Sequence, residues 1–211
     1  MSFLLIAVVS AVASGAAGAF FARRRRERDA APKPAAPAGA PALPTPSVPA
    51  NVALAVGDVV AVLADGPGLG GVDGTSRERW LSSAVVAREA DEVVAVVFFA
   101  PEGTREESVV AFPAPRRELG WMSAAPTEIG KEPPTTIELG GVILDRRARR
   151  PVSLERLGRG APRIGEHATY AEYASGRDFG VVLVGTEGVV SLRGVRLDAG
   201  EWEKMGSGES K

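Results

Sequence analysis

The chain has 211 residues, enough for one ordinary domain with additional segments. Its 25 basic and 26 acidic residues leave a net charge of −1, which argues against a nucleic-acid-binding protein, since such proteins carry a basic excess. The absence of cysteine and the single histidine exclude disulfides, thiolate nucleophiles and multi-histidine or thiolate metal sites. A carboxylate-only site for a hard cation is the alternative left open, but no motif supports one, so we predict no metal and no cofactor.

The first predicted element is a transmembrane anchor at residues 1–22. Residues 3–22 carry no charge, and twenty helical residues rise about 30 Å, the thickness of the hydrocarbon core of a bilayer. The side chains expected in lipid include Phe3, Leu4, Leu5, Ile6, Gly15, Phe20 and Phe21. Small residues recur four apart at Ala11, Gly15 and Ala19, a spacing that lets two helices pair, so self-association through the anchor is also predicted.

A basic cluster follows the anchor directly and predicts its topology. It consists of Arg23, Arg24, Arg25, Arg26 and Arg28. The positive-inside rule places these arginines, and the chain after them, in the cytoplasm. The bias toward Ala, Gly, Val and Arg is typical of a GC-rich bacterial genome, so we predict a single-pass protein of the bacterial inner membrane. A cleaved signal peptide, with a periplasmic or extracellular domain, is the alternative, but its positive charges would precede the apolar run.

Residues 23–53 are predicted to form a basic segment that ends the anchor, followed by a disordered linker rich in Pro and Ala. Seven prolines occur between residues 30 and 53, and each removes a backbone donor and fixes φ, which prevents a regular helix or sheet. An extended tether of this composition could hold a domain up to about 60 Å from the bilayer. Docking of Pro44 and Pro46 in an aromatic groove is the alternative to a plain spacer.

Residues 54–206 predict a mainly β domain, followed by a disordered tail at 207–211. Short Val-rich runs separated by Gly, Pro and acidic turns indicate strands and hairpins, and no run has the apolar period of a long helix. Strands are expected at 58–64, 82–88, 92–100, 108–112, 152–157, 179–184 and 188–193, with hairpins between 82–88 and 92–100 and between 179–184 and 188–193. Residues 135–144 are expected to form either one bulged strand or a hairpin, and residues 168–175 a short helix. The architecture is either a small barrel or two stacked β subdomains, at 54–113 and 135–206, that form a pseudo-repeat.

Two patterns resemble sites of chemistry. Residues 66–71 match the G-x-G-x-x-G pattern, but another turn follows where a dinucleotide site needs a helix, so a flexible loop is predicted. His167 has Tyr170, Glu172 and Tyr173 close in sequence, a set that could transfer protons. No nucleophile with a motif around it accompanies them, so we predict a structural histidine and no enzyme.

A second basic cluster and the tryptophans are candidate contact residues. The cluster contains Arg146, Arg147, Arg149 and Arg150. Beside a membrane, each could contribute about 1 kcal/mol through anionic headgroups, and the alternative is a solvated loop between strands. Trp80, Trp121 and Trp202 are expected in the core or in a groove, because aromatic burial dominates small β cores.

Two stretches of the domain resemble a bacterial family, domain of unknown function four-one-seven-eight. They are the Val-Gly-Asp strand at 54–60, with Trp80-Leu81 in a following hairpin, and the Tyr-rich element at 170–173, with a hairpin that closes on Gly194. The resemblance covers about residues 54–205. It implies a small β fold in membrane-associated or stress-related bacterial settings, and it transfers no catalytic residue.

Together these observations favour a membrane-tethered β interaction module that acts as a non-enzymatic adaptor or assembly component. Its expected partners are the lipid bilayer and another protein, and no nucleic acid is expected. The alternative is a ligand- or lipid-binding domain at the membrane surface.

Overall fold

A computed structural model describes residues 47–63, 78–100 and 107–207, and all regular secondary structure in these ranges is β. The twelve strands are β1 (Asp58–Val62), β2 (Glu78–Trp80), β3 (Ser83–Glu89), β4 (Glu92–Phe99), β5 (Glu107–Ala111), β6 (Leu119–Ala124), β7 (Thr136–Leu139), β8 (Val142–Leu157), β9 (His167–Ser175), β10 (Asp178–Gly185), β11 (Val189–Leu197) and β12 (Trp202–Ser207). The predicted anchor, the basic segment that ends it, most of the tether, the glycine-rich loop and most of the tail lie outside the described residues. Within these ranges, no helix is long and apolar enough to cross a membrane.

Eight antiparallel strands close into a barrel in the order β3-β4-β5-β6-β11-β10-β9-β8, and β8 pairs back to β3. The prediction of a mainly β domain with a small barrel is therefore confirmed. Strand β7 pairs with β8 outside the barrel, and β12-β1-β2 form a separate three-stranded sheet, which we call the outer sheet.

The two halves of the domain complete one barrel instead of stacking as separate subdomains. Strands β3–β6 and β8–β11 are both four-stranded meanders, and they join at the seams β6–β11 and β3–β8. Exchanging one meander for the other leaves the strand order unchanged, so the two halves are topologically equivalent. Whether they also form a repeat in sequence stays a prediction. Strand β6 lies between the two predicted subdomains at 54–113 and 135–206, so this stretch is also part of the barrel.

The barrel lumen is a packed core. Eight strands give an interior just wide enough for side chains to fill, and alternate residues of every barrel strand point inward. The inward side chains include Val85, Val97, Val110, Met122, Tyr170, Phe179, Leu183 and Leu192. This packing, and not a ligand-filled lumen, stabilises the closed sheet.

Two additional layers cover the outside of the barrel. The outer sheet and residues 47–54 pack on the outer face of β3–β6, where Leu54, Leu81 and Phe98 are buried. Val48 and Val52, which lie within the predicted tether, belong to this layer, and Val52 forms an antiparallel bridge with Pro113. The β7–β8 hairpin covers β9 and β10 on the other side, where it buries Leu139 and Leu144.

The hairpins predicted from the sequence are confirmed, and the helix predicted at 168–175 is wrong. Residues 167–175 form β9, paired along its length with β8 and β10. Both faces of β9 are covered, the inner face by the lumen and the outer face by the β7–β8 hairpin, so residues 170–174 are all buried. A strand buried on both faces lacks the polar alternation that identifies strands in a sequence. The strand expected at 152–157 is the end of β8, which bends at a bulge between Arg146 and Ala148.

Candidate functional site

One end of the barrel carries charged side chains on its inner face. It is the end where β9 and β11 finish and β6 and β10 begin, and we call it the charged end. Glu172 of β9 points inward there and is 7% exposed. Arg116, from the segment between β5 and β6, and Arg196, from β11, approach Glu172 across this end of the barrel. The lumen therefore ends in a buried carboxylate with two cations.

Arg116 and Glu172 form a two-point ion pair. Nη1 of Arg116 donates to Oε2 of Glu172 at 3.2 Å, and Nη2 donates to Oε1 at 3.0 Å. Two further donors reach the same carboxylate, the Tyr170 hydroxyl at 3.2 Å and Nη2 of Arg196 at 3.5 Å. Parallel N–H···O bonds of this kind fix the orientation of the guanidinium as well as its position.

The other contacts of Arg116 hold it in place on its remaining sides. Its Nε donates to Oε1 of Glu118 at 2.9 Å, and its Cζ lies 3.5 Å from the centroid of the Phe112 ring. Arg196 stacks similarly on Phe179, at 4.9 Å. A cation over an aromatic face is attracted by the ring quadrupole, so both arginines are held by charge and by stacking.

Two groups of this cluster have pKa values moved away from neutral pH. Burial, and then the negative charge of Glu172, raise the pKa of Tyr170 well above its ordinary value, so its phenol stays neutral at physiological pH. Burial opposes the charge on Arg116, but hydrogen bonds and charges from Glu172 and Glu118 outweigh it and raise the pKa of Arg116. Both groups therefore keep one protonation state near neutral pH.

A half-open groove of about 390 Å³ lies against the charged end. Its lining comes from three parts of the chain: residues 50–53 before β1, residues within 111–119 between β5 and β6, and residues within 199–202 before β12. Phe112 and Arg116 belong both to the groove and to the charged cluster, while Val52, Leu119 and Trp202 contribute apolar surface. The groove is therefore an apolar depression with charged side chains beside it.

Arg117 lines this groove and carries an unpaired charge. Its side chain is exposed and has no hydrogen-bond or ion-pair partner among the described residues. Its backbone is anchored, because the carbonyl oxygen of Arg117 accepts a hydrogen bond from Nε1 of Trp202 at 3.4 Å. The charged residues that line the groove are Arg116, Arg117 and Glu118, so its lining has one positive charge in excess.

The structure does not assemble the acid–base set considered around His167. That histidine is exposed at the start of β9, at the end of the barrel opposite Glu172. Tyr173 points to the outer face of β9 and donates its hydroxyl to the carbonyl of Pro134 at 2.8 Å. Only Tyr170 and Glu172 contact each other, because alternate residues of a strand point to opposite faces.

The second arginine cluster lies in β8 and not in a loop, and each member contacts the domain. Arg146 and Arg147 donate to the carbonyls of Pro133 and Ala174 at 2.7 and 3.4 Å, and Arg149 and Arg150 pair with Glu132 and Glu89 at 3.1 and 2.6 Å. Arg149 and Arg150 pair in register with Ala171 and Tyr170 of β9. Because adjacent residues of a strand point to opposite faces of the sheet, these two side chains point in different directions. Contact with lipid headgroups stays a prediction.

The tryptophans occupy three different environments. Trp202 lines the groove, which is one of the two environments predicted for the tryptophans. Trp80 is in neither the core nor the groove, since its side chain is 51% exposed on the outer sheet. Trp121 lies under the buried guanidinium of Arg79, 3.7 Å from ring centroid to Cζ. Arg79 also donates through Nη1 to the carbonyls of Ser108 and Met122, each at 2.6 Å, so it connects the outer sheet to the barrel. Burial lowers the pKa of Arg79 to about 10, which leaves it charged at neutral pH.

The residues of the charged end had no sequence signal except their types. Two prolines precede Arg116, Arg117 and Glu118, so the sequence indicates a polar segment between strands. Glu172, which pairs with Arg116, lies 56 residues further along the chain. In the described ranges, no group of three or more His, Asp or Glu side chains is arranged to hold a metal ion. No protein-family model matches this sequence, and comparison with curated proteins and with solved structures finds no relative.

Proposed function

We propose that this chain is a non-enzymatic interaction module, tethered to a bacterial inner membrane by residues 3–22, whose barrel binds a partner protein in the groove beside Arg116. The observation that carries the proposal is the groove itself, an open apolar depression with charged side chains at its edge. Protein interfaces have this composition, with an apolar centre and a polar rim.

The filled lumen supports a binding surface on the outside of the barrel. Larger barrels and lipocalin-like barrels bind ligands inside, but here Phe179, Tyr170 and Met122 are fully buried within the lumen. The groove instead lies on an outer edge where three chain segments meet. Its last wall, residues 50–53, is the end of the predicted tether, so a partner bound there would lie where the domain joins its membrane attachment.

The acid–base groups give no support to catalysis. Tyr170 is held neutral, and His167 lies at the far end of the barrel without Tyr170, Glu172 or Tyr173 beside it. A binding role needs side chains whose charge and position are fixed. The ion pair of Arg116 with Glu172 provides such a fixed charge beside the groove.

A small ligand or lipid is the second candidate occupant. The observation that favours it is the groove volume of about 390 Å³, which falls within the range of roughly 300–1,000 Å³ typical of ligand pockets. Membership of the family four-one-seven-eight is likewise part of the proposal, and it agrees with either occupant.

Site-specific photo-crosslinking in cells tests the partner proposal. A benzophenone amino acid at Ala114, an exposed groove residue, should give a protein adduct of the full-length chain. The same group at Val189, which is 44% exposed at the opposite end of the barrel, should not. Filling the groove with Ala199→Trp should remove the adduct. Equal adducts at both positions, or an adduct with lipid alone, would reject a partner protein in the groove.

Reporter fusions test the membrane topology. A reporter that is active only in the cytoplasm, fused after Lys211, should be active, and a periplasm-only reporter at the same point should be silent. The physical reason is the arginine cluster at 23–26, which resists translocation. The reverse pattern would favour export after cleavage of a signal peptide.

A further inference from the structure

We infer that the groove recognises an acidic peptide segment of the partner, with an apolar side chain against Trp202 and Ala199 and a carboxylate held by Arg117. The inference rests on the proposed function and names the chemistry of its ligand. It follows from the different surroundings of the two adjacent arginines, from the charge around the groove, and from the polar groups of its wall.

The two adjacent arginines have opposite surroundings. The guanidinium of Arg116 is occupied by Glu172, Glu118 and the Phe112 ring. The guanidinium of Arg117 is exposed in the groove and has no partner in the described part of the chain. Because the Arg117 carbonyl is bound by Trp202, the backbone that carries this free side chain is held in position. Arg117 is thus an anchored cation that is available to a ligand.

The charge of the site favours an anion. Of the charged residues that line the groove, two are arginines, Arg116 and Arg117, and one is a carboxylate, Glu118, so the lining has an excess of one positive charge. A guanidinium presents parallel N–H donors that match the two oxygens of a carboxylate. The apolar ring of Trp202 lies beside Arg117 and displaces water on that side, which strengthens such a pair relative to one surrounded by water.

The groove wall favours a peptide over a lipid as the source of that anion. Asn51 lines the wall, its side chain is exposed, and its amide has no partner within the described ranges. An amide offers one acceptor and two donors, which pair with the N–H and C=O groups of a peptide backbone. An acyl chain has no groups that could use them.

Selection of random peptides on the full-length chain in detergent tests the inference. A displayed heptapeptide library should yield sequences with Asp or Glu beside Leu, Phe or Trp. The charge-reversed variant Arg117→Glu should lower the binding of these peptides about tenfold or more, since each 1.4 kcal/mol is a factor of ten. The matched control Arg159→Glu reverses an exposed charge between β8 and β9, at the other end of the barrel, and should leave binding unchanged.

Three results would overturn the inference. Peptides selected without an acidic preference, or an acidic preference that survives Arg117→Glu, would remove Arg117 from recognition. Flotation with phosphatidylglycerol vesicles that Arg117→Glu abolishes, without any peptide enrichment, would assign the groove to lipid headgroups. If the crosslink at Ala114 forms while the selected peptides lack acids, the proposed function stands and this inference fails. If neither forms, both fail.

Discussion

Glu172 and Arg116 are separated by 56 residues in the sequence, and they form a two-point ion pair at one end of the barrel, with N–O distances of 3.0 and 3.2 Å. Their pairing connects an inward residue of β9 to the segment that lines the groove. Because Arg116 is also held by Glu118 and Phe112, the shape of the groove depends on a carboxylate that lies behind its wall.

Removing the buried carboxylate should destabilise the domain. Glu172→Ala leaves Arg116 and Arg196 without their shared counter-ion, and we expect a loss of about 2–4 kcal/mol in the free energy of unfolding. The control Glu132→Ala breaks the exposed pair with Arg149 and should cost less than about 1 kcal/mol. Urea unfolding of both variants measures the difference. Equal stabilities would show that the pair contributes nothing.

Stability should fall in acid because of two carboxylates with lowered pKa. Burial raises the pKa of Glu118, but the hydrogen bond from Arg116 and the nearby charges lower it overall. The backbone N–H of Asp198 and then Arg177 lower the pKa of Glu201. Both contributions are therefore present above the ordinary value of 4.5 and are lost as the pH falls through the lower, folded-state pKa.

The acid dependence can be measured by urea unfolding between pH 7 and pH 3. The double variant Glu118→Gln/Glu201→Gln should lose less stability over this range than the unmodified chain, because it no longer takes up protons at these positions on unfolding. An identical slope in both proteins would contradict the assignment.

The buried guanidinium of Arg79 should be required for the outer sheet to dock on the barrel. Arg79→Met leaves the carbonyls of Ser108 and Met122 without their donor, which should cost about 2–4 kcal/mol. Trp121, which stacks on Arg79, should report the loss as a change in fluorescence. Arg88→Met, at a partly exposed pair with Glu155, is the control and should cost less than about 1 kcal/mol. A native-like Trp121 signal in Arg79→Met would refute this role.

Gly194 should tolerate no side chain. A Cβ atom at this position of β11 would lie 1.8 Å from the carbonyl oxygen of Trp121, on the neighbouring strand β6. Backbone atoms cannot move aside as a flexible side chain can, so Gly194→Ala should cost about 3 kcal/mol or prevent folding. Gly130→Ala, where a Cβ would meet nothing within 4 Å, should be close to neutral. Thermal unfolding of the two variants checks the contrast.

Local sequence patterns predicted most of the strands. They succeeded where the strand is specified by β-branched residues and a turn next to it in the chain. The β3–β4 and β10–β11 hairpins have β-branched runs with turn residues between them, and both strands of each hairpin are neighbours in the chain. The helix at 168–175 was wrong because burial on both faces of β9 depends on the β7–β8 hairpin, whose position no local pattern specifies.

The sequence by itself determined a mainly β domain, most of the strand-forming segments and the types of chemistry open to a chain without cysteine and with one histidine. These properties follow from composition and from the two-residue period of strands, which are local. The tertiary structure alone decided that Arg116 meets Glu172, that Arg117 stays unpaired, and that both border one groove. Closing a barrel brings together residues far apart in sequence, and which side chains then share an end depends on the register of every strand pair around it.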